Sequence, residues 1–128
     1  MSTSAKLLIA RILLSFMFIM AGLQKLGSID GTAGYIAAYG FPASTLLAWA
    51  AAIFELVAGG FILAGFFTRT TAWALAAFCL FTGAVFHFNL SDQIQTILLM
   101  KNIAIAGGFI ALAAVGPGTI SADGQRLR

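Results

Sequence analysis

Apolar residues dominate this 128-residue chain in four long runs, each interrupted only by isolated charges. The punctuation between them predicts helices over residues 6–26, 45–67, 70–90 and 94–115. Residues 46–67 carry Glu55 as their only charge. A hydrocarbon core about 30 Å thick needs roughly 20 such residues in helical form, so each run has the length of a membrane span. Only Thr68-Arg69 separates the second run from the third, a tight turn that imposes an antiparallel pair. Gly116-Pro117-Gly118 stops the last helix, because proline removes a donor and glycine permits a left-handed turn. Residues 121–128 then read as a short polar tail.

The longest connection, residues 27–44, has structure of its own. Asp30 can cap a short helix over 32–39, with Gly40 and Pro42 as stop signals. Tyr35, Tyr39 and Phe41 give it an interface-seeking character. A short helix at the membrane surface is expected, an ordinary loop with aromatic anchors being the alternative. The fold class is therefore all-α, an integral membrane antiparallel four-helix bundle with a short interfacial helix between the first and second spans. Residues 1–128 form one domain.

Composition agrees with that class. The chain is 61% hydrophobic and 9% charged, against roughly 25% charged in soluble domains, and its mean hydropathy is +1.01. The net charge of +3 comes from scattered basic residues. No basic run with interleaved aromatics occurs, so nucleic-acid binding is not supported. The first run, with Lys6 before it, has the outline of a secretion signal. Arg11 interrupts it, however, and no small-x-small site precedes a polar segment near residues 22–25, so a retained span is expected. With an even number of spans, Lys6, Arg69, Arg126 and Arg128 fall on one side, opposite Asp30 and Asp92. The positive-inside rule then puts both termini in the cytoplasm.

Each span carries a stripe of small and polar residues at helical spacing, as close packing in lipid requires. Arg11, Ser15, Phe18, Gly22 and Lys25 share a face on the first. Ala48, Ala52, Glu55, Gly59 and Ile62 do so on the second, and Ala76, Cys79, Gly83 and His87 on the third. On the fourth the stripe is Lys101, Ile105, Gly108 and Leu112. These stripes are expected to face the interior, which makes Arg11, Lys25, Glu55, His87 and Lys101 the candidate buried polar or binding residues. Lys25, His87 and Lys101 all lie toward the outer end as a basic cluster, and Gln24 and Asn102 add amides near it.

Glu55 has no route to either surface. A carboxylate at mid-membrane costs about 2.5–3.5 kcal/mol even on insertion-based scales, so it requires a partner or a wet cavity. Arg11 lies roughly 8 Å inside its helix end and Glu55 roughly 16 Å inside the same surface, and the expected partner of Glu55 is Arg11, with Lys25 or Lys101 as the alternative. The others also have ordinary readings: Arg11 and Lys101 as snorkelling side chains, Lys25 as a helix-end residue, His87 as a polar boundary residue. Cys79 is the only cysteine, which excludes disulfide exchange within the chain; it is expected to pack as a small hydrophobe. A lone histidine supplies neither two haem ligands nor a zinc cluster, so no metal site is expected. No strand-borne phosphate loop is present.

The motifs Arg11-Ile12-Leu13-Leu14 and Gly22-Leu23-Gln24-Lys25 are followed by Glu55-Leu56-Val57-Ala58-Gly59-Gly60. Gly65-Phe66-Phe67-Thr68-Arg69, then Lys101, Ala106-Gly107-Gly108, Gly116-Pro117-Gly118 and Ser121-Ala122-Asp123 complete the set. In this order and spacing the chain resembles the DoxX family of small four-span bacterial membrane proteins. The resemblance implies a compact inner-membrane bundle with Arg11, Lys25, Glu55 and Lys101 as its characteristic interior charges. It also implies an association with redox assemblies, thiosulfate:quinone oxidoreductase among them, while other relatives are scaffold- or chaperone-like. Fold alone does not convert into an activity.

Three functional readings follow. In the first, the chain is a membrane subunit or anchor of a redox or stress-related complex. Its partners are the lipid bilayer and a quinone or redox protein; no cofactor is evident in the chain itself, and self-association stays open. In the second, it is a structural or assembly protein whose charges only set helix register. In the third, it is a small transporter or proton path using Glu55. Whether the chain is catalytic is left open. An interior open to lipid favours the first reading, a sealed and fully paired one the second, and a water-connected one the third.

Overall fold

The structure, a computed structural model, describes residues 1–126. It contains α1 (Thr3–Gly27), α2 (Ile29–Ala38), α3 (Ser44–Ala64), α4 (Thr68–Phe86), α5 (Gln93–Val115) and α6 (Ala122–Arg126). Helices α1, α3, α4 and α5 are each long and apolar enough to cross a membrane. The expected antiparallel bundle is present, and the chain is a membrane protein. Its largest side chains on the outside, including Leu13, Phe16, Leu46, Trp73 and Ile94, are exposed, as lipid contact requires.

Within the bundle the strongest pairings are α1 with α3 and α4 with α5, while consecutive α3 and α4 meet over a shorter stretch. Small residues set the first pairing. A Cβ on Gly22 would lie 3.0 Å from the Ala52 carbonyl oxygen, and one on Gly59 would lie 2.9 Å from Ile19 Cγ1. Backbones this close gain dispersion contacts that lipid tails do not supply. The core itself runs between the pairs through Phe18, Ile62, Leu75, Cys79, Phe109 and Leu112. Phe18 meets Phe109 edge-on at 5.5 Å between centroids.

Element boundaries differ from the expectation in informative ways. The turn between the second and third spans is Gly65-Phe66-Phe67, and Thr68-Arg69 already belongs to α4. Gly65 supplies the left-handed residue (φ 73°). α4 stops at Phe86, so His87 caps its end instead of lying within it. The interfacial helix exists but starts earlier than expected, with Asp30 in its first turn. Its aromatic residues anchor it: Tyr39 Oη donates to the Phe86 carbonyl at 3.1 Å, and Tyr35 stacks on the Phe86 ring.

The tail after α5 is not a free polar end. Thr119 N donates to Ser4 Oγ at 3.1 Å, and Asp123 N donates to the Gly65 carbonyl at 2.8 Å. These bonds put residues from both ends of the chain at one end of the bundle, termed here the terminal end. The expected tail position Arg128 lies outside the described residues.

Candidate functional site

The inward stripe of α1 is as expected, with Arg11, Ser15, Phe18 and Gly22 buried, and that of α3 likewise buries Ala48, Ala52, Glu55, Gly59 and Ile62. The contacts they make correct the expected pairing. Glu55 is not bonded to Arg11. Its Oε2 lies 2.9 Å from Lys25 Nζ, and Lys25 Nζ donates to Oε1 at 3.2 Å. The physical cause is register. With Gly22 set against Ala52 and Leu56, Lys25 sits within a turn of Glu55 and reaches inward to it. Arg11 instead lies level with Leu63, ~12 Å further along α3 at the helical rise.

Arg11 is fully buried all the same. Nη1 donates to the Leu63 carbonyl at 3.2 Å and Nη2 to the Ile120 carbonyl. The guanidinium fills the place where Gly65 lacks a side chain. Its bond to Leu63 satisfies an orphan carbonyl at the C-terminus of α3, where the helix dipole is negative. Arg69 does the same for α5, with Nη1 donating to the Ala113 carbonyl at 2.9 Å and the Ala114 carbonyl at 2.7 Å. Asp123 caps the opposite polarity. Its carboxylate accepts from Phe67 N and Thr68 N at 2.9 Å each, at the N-terminus of α4. Burial alone would push the Asp123 carboxyl up, but these two backbone donors and Arg126 hold it below the usual carboxylate range. The terminal end is thus a set of helix caps, in which Arg11 Nε and Thr68 Oγ1 stay buried without a hydrogen-bond partner. Asp123 was missed from the sequence because a cap supplied by a remote segment leaves no local spacing to find.

The remaining candidates separate. Lys101 is exposed and does not join the interior charges. The buried stripe of α5 includes Ala106, Phe109 and Ala113, one residue out of phase with the expected one, although Leu112 is buried as expected. That phase turns Asn102 inward instead, where Nδ2 donates to the Cys79 carbonyl at 3.0 Å and to Thr82 Oγ1 at 3.2 Å. His87 is partly buried, with Nδ1 2.7 Å from Gln95 Oε1. Cys79 is a buried free thiol. Among the described residues, no group of three or more His, Cys, Asp or Glu side chains converges as metal ligands do.

Lys25, Glu55, His87 and Asn102 all border one cavity of about 610 Å³ in the half of the bundle away from the terminal end. Its walls are otherwise mostly apolar and rich in aromatics, Phe18, Phe41, Phe54, Phe78, Phe81 and Phe86 among them. Phe54 and Phe78 stack on each other at 5.1 Å in its wall. Met17, Leu47 and Phe81, which also line it, are exposed on the outside of the bundle. The cavity is therefore a cleft that reaches the outer face of the bundle beside these side chains. Its size and its few convergent polar groups are those of a small-molecule site.

Comparison with known proteins agrees with the architecture. The chain is 42% identical to the inner membrane protein YqjF of Escherichia coli K12 over 116 residues, covering 91% of this chain and 88% of that one. It is 39% identical to the inner membrane protein YphA of the same organism over 122 residues, covering 91% and 87%. No solved structure matches it significantly. The DoxX family description matches residues 6–88, more than half of the chain, so this four-span protein belongs to the DoxX family.

Proposed function

We propose that the protein is an inner-membrane subunit that binds a quinone-like ligand in its lateral cleft and serves a redox or stress-related complex. The observation that carries this reading is the cleft itself. Aromatic walls suit a flat apolar ring, and a sideways opening suits a ligand that arrives and leaves through lipid. Lys25 Nζ, with one N–H beyond those bonded to Glu55, is a donor for a ring carbonyl, and Glu55 and His87 complete the polar floor. The Lys25–Glu55 pair is neutral as a whole, which matches an uncharged ligand better than an anionic one. No redox centre is evident in the chain, so electrons must reach any bound quinone from a partner. The positive-inside rule places the terminal end, with Lys6, Arg69 and Arg126, in the cytoplasm.

The test is a photoreactive, short-chain quinone analogue applied to the protein in native-lipid discs. Crosslinks are expected on α3 and α4 at the cleft, with competition by unlabelled quinone. Loss of the crosslink in Phe54→Trp, which fills the cleft, completes the expected pattern. Labelling confined to the exposed outer faces, unaffected by that substitution, refutes the reading.

A further inference from the structure

A second cavity, of about 350 Å³, lies beside the cleft where α1 meets α2. Its walls include Gln24, Ser28 and Gly31, and it shares Ala21, Lys25, Thr32 and Tyr35 with the cleft. The two spaces differ in chemistry. One is an aromatic slot open to the side, the other a smaller surface hollow with Gln24, Ser28 and Thr32 among its walls, at the bundle end opposite the termini. Lys25 stands between them. Its side chain is 29% exposed, while Glu55 behind it is 5% exposed. The ion pair is the partition between the hollow and the cleft.

We propose that the hollow is the aqueous port of a proton relay, through which Lys25 passes protons between water and Glu55 at the floor of the cleft. The step is balanced without any further reagent. The Lys25 ammonium gives a proton to the Glu55 carboxylate at 2.9–3.2 Å, leaving a neutral amine and a carboxylic acid. The amine then takes a proton from a hydronium ion in the water of the hollow, releasing a water molecule. Glu55 holds the transferred proton facing the cleft, and the reverse sequence returns it. The titratable groups around Glu55 are Lys25 from α1 and the Cys79 thiol from α4; Tyr35 of α2 and His87 line the same cleft. Gln24, Ser28 and Thr32 supply polar contacts that hold water in a hollow of this size. Delivery of protons to a ligand in the cleft rests on the quinone reading; the port itself does not.

Two measurements on the full chain in liposomes test the port. In a Cys79→Ala background, Ala21→Cys and Thr32→Cys are expected to react with a charged, membrane-impermeant thiosulfonate, as the exposed Ser28→Cys control does. Adding Gln24→Trp, or Ser28→Trp should the first not fold, is expected to abolish reaction at Ala21→Cys. In the wild type, a lipophilic carbodiimide, which adds only to protonated carboxyls, is expected to label Glu55 faster as the bath pH falls. The tryptophan plug removes that response. Silence of Ala21→Cys while Ser28→Cys reacts, or Glu55 labelling indifferent to bath pH, overturns the port. A port that passes both measurements while the quinone crosslink fails leaves the relay standing and the ligand reading refuted. The converse result retains the ligand and refutes the relay.

Discussion

Removing Lys25 is expected to destabilise the bundle more than removing the charge of Glu55, because the two partners are buried to different depths. Breaking a fully buried pair costs roughly 3–5 kcal/mol, since one charge is left uncompensated. In Lys25→Met that charge is Glu55, 5% exposed and at mid-membrane, so the loss belongs near 3 kcal/mol on the scale for truncated buried pairs. In Glu55→Leu the orphan is Lys25, 29% exposed, whose flexible stem can swing its head to water. That loss belongs near 1 kcal/mol, the range of partly screened pairs. The double variant Lys25→Met with Glu55→Leu, apolar on both sides, is expected to recover most of the larger loss and to show a coupling of ~3 kcal/mol, the upper end for groups in contact. Reversible unfolding in mixed micelles, followed by circular dichroism, supplies the four stabilities of the cycle. Arg11→Met combined with Glu55→Leu is the internal control and must be additive, since those side chains do not touch. Additive losses for Lys25 and Glu55, or coupling between Arg11 and Glu55, refute the assigned pairing.

Asp123→Ala is expected to cost about 1 kcal/mol, the usual value of a lost helix N-cap. Its folded carboxyl titrates below the unfolded one. Its contribution is therefore fully present above the unfolded value near pH 4 and is lost as pH falls through the folded value. Wild type and Asp123→Ala should converge in stability in that acid window, and a constant gap there contradicts the cap. Gly22→Ala should destabilise by roughly 1–3 kcal/mol through overpacking, because the new methyl meets Leu56 Cγ at 2.6 Å and the Ala52 carbonyl at 3.0 Å. Gly27→Ala, with open space around it, is the matched control, and equal effects of the two refute close α1–α3 packing. A reporter fused after residue 128 should be active only in the cytoplasm and one inserted at Gly34 only outside. The reverse pattern overturns the orientation.

Hydrophobic run length and glycine–proline punctuation are local properties, and in lipid every backbone polar group must be satisfied within its own helix. The four spans, the inward stripes of α1 and α3, and the cost of Glu55 were therefore legible in the sequence alone. Tertiary structure decided who meets whom. A side chain reaches only a few ångströms, so the offset between α1 and α3, set by Gly22 and Gly59 lying against the facing helix, gives Glu55 to Lys25 and leaves Arg11 to the carbonyls of Leu63 and Ile120. A rotation of α5 by one residue likewise exchanges Lys101 for Asn102 at the interior. The weak periodicity of that helix, apolar nearly all round, contains no cue to its phase. The cleft arises between the spans, and the hollow where α1 meets α2. Empty space between helices is a property of their packing angles, which no single segment of the chain encodes.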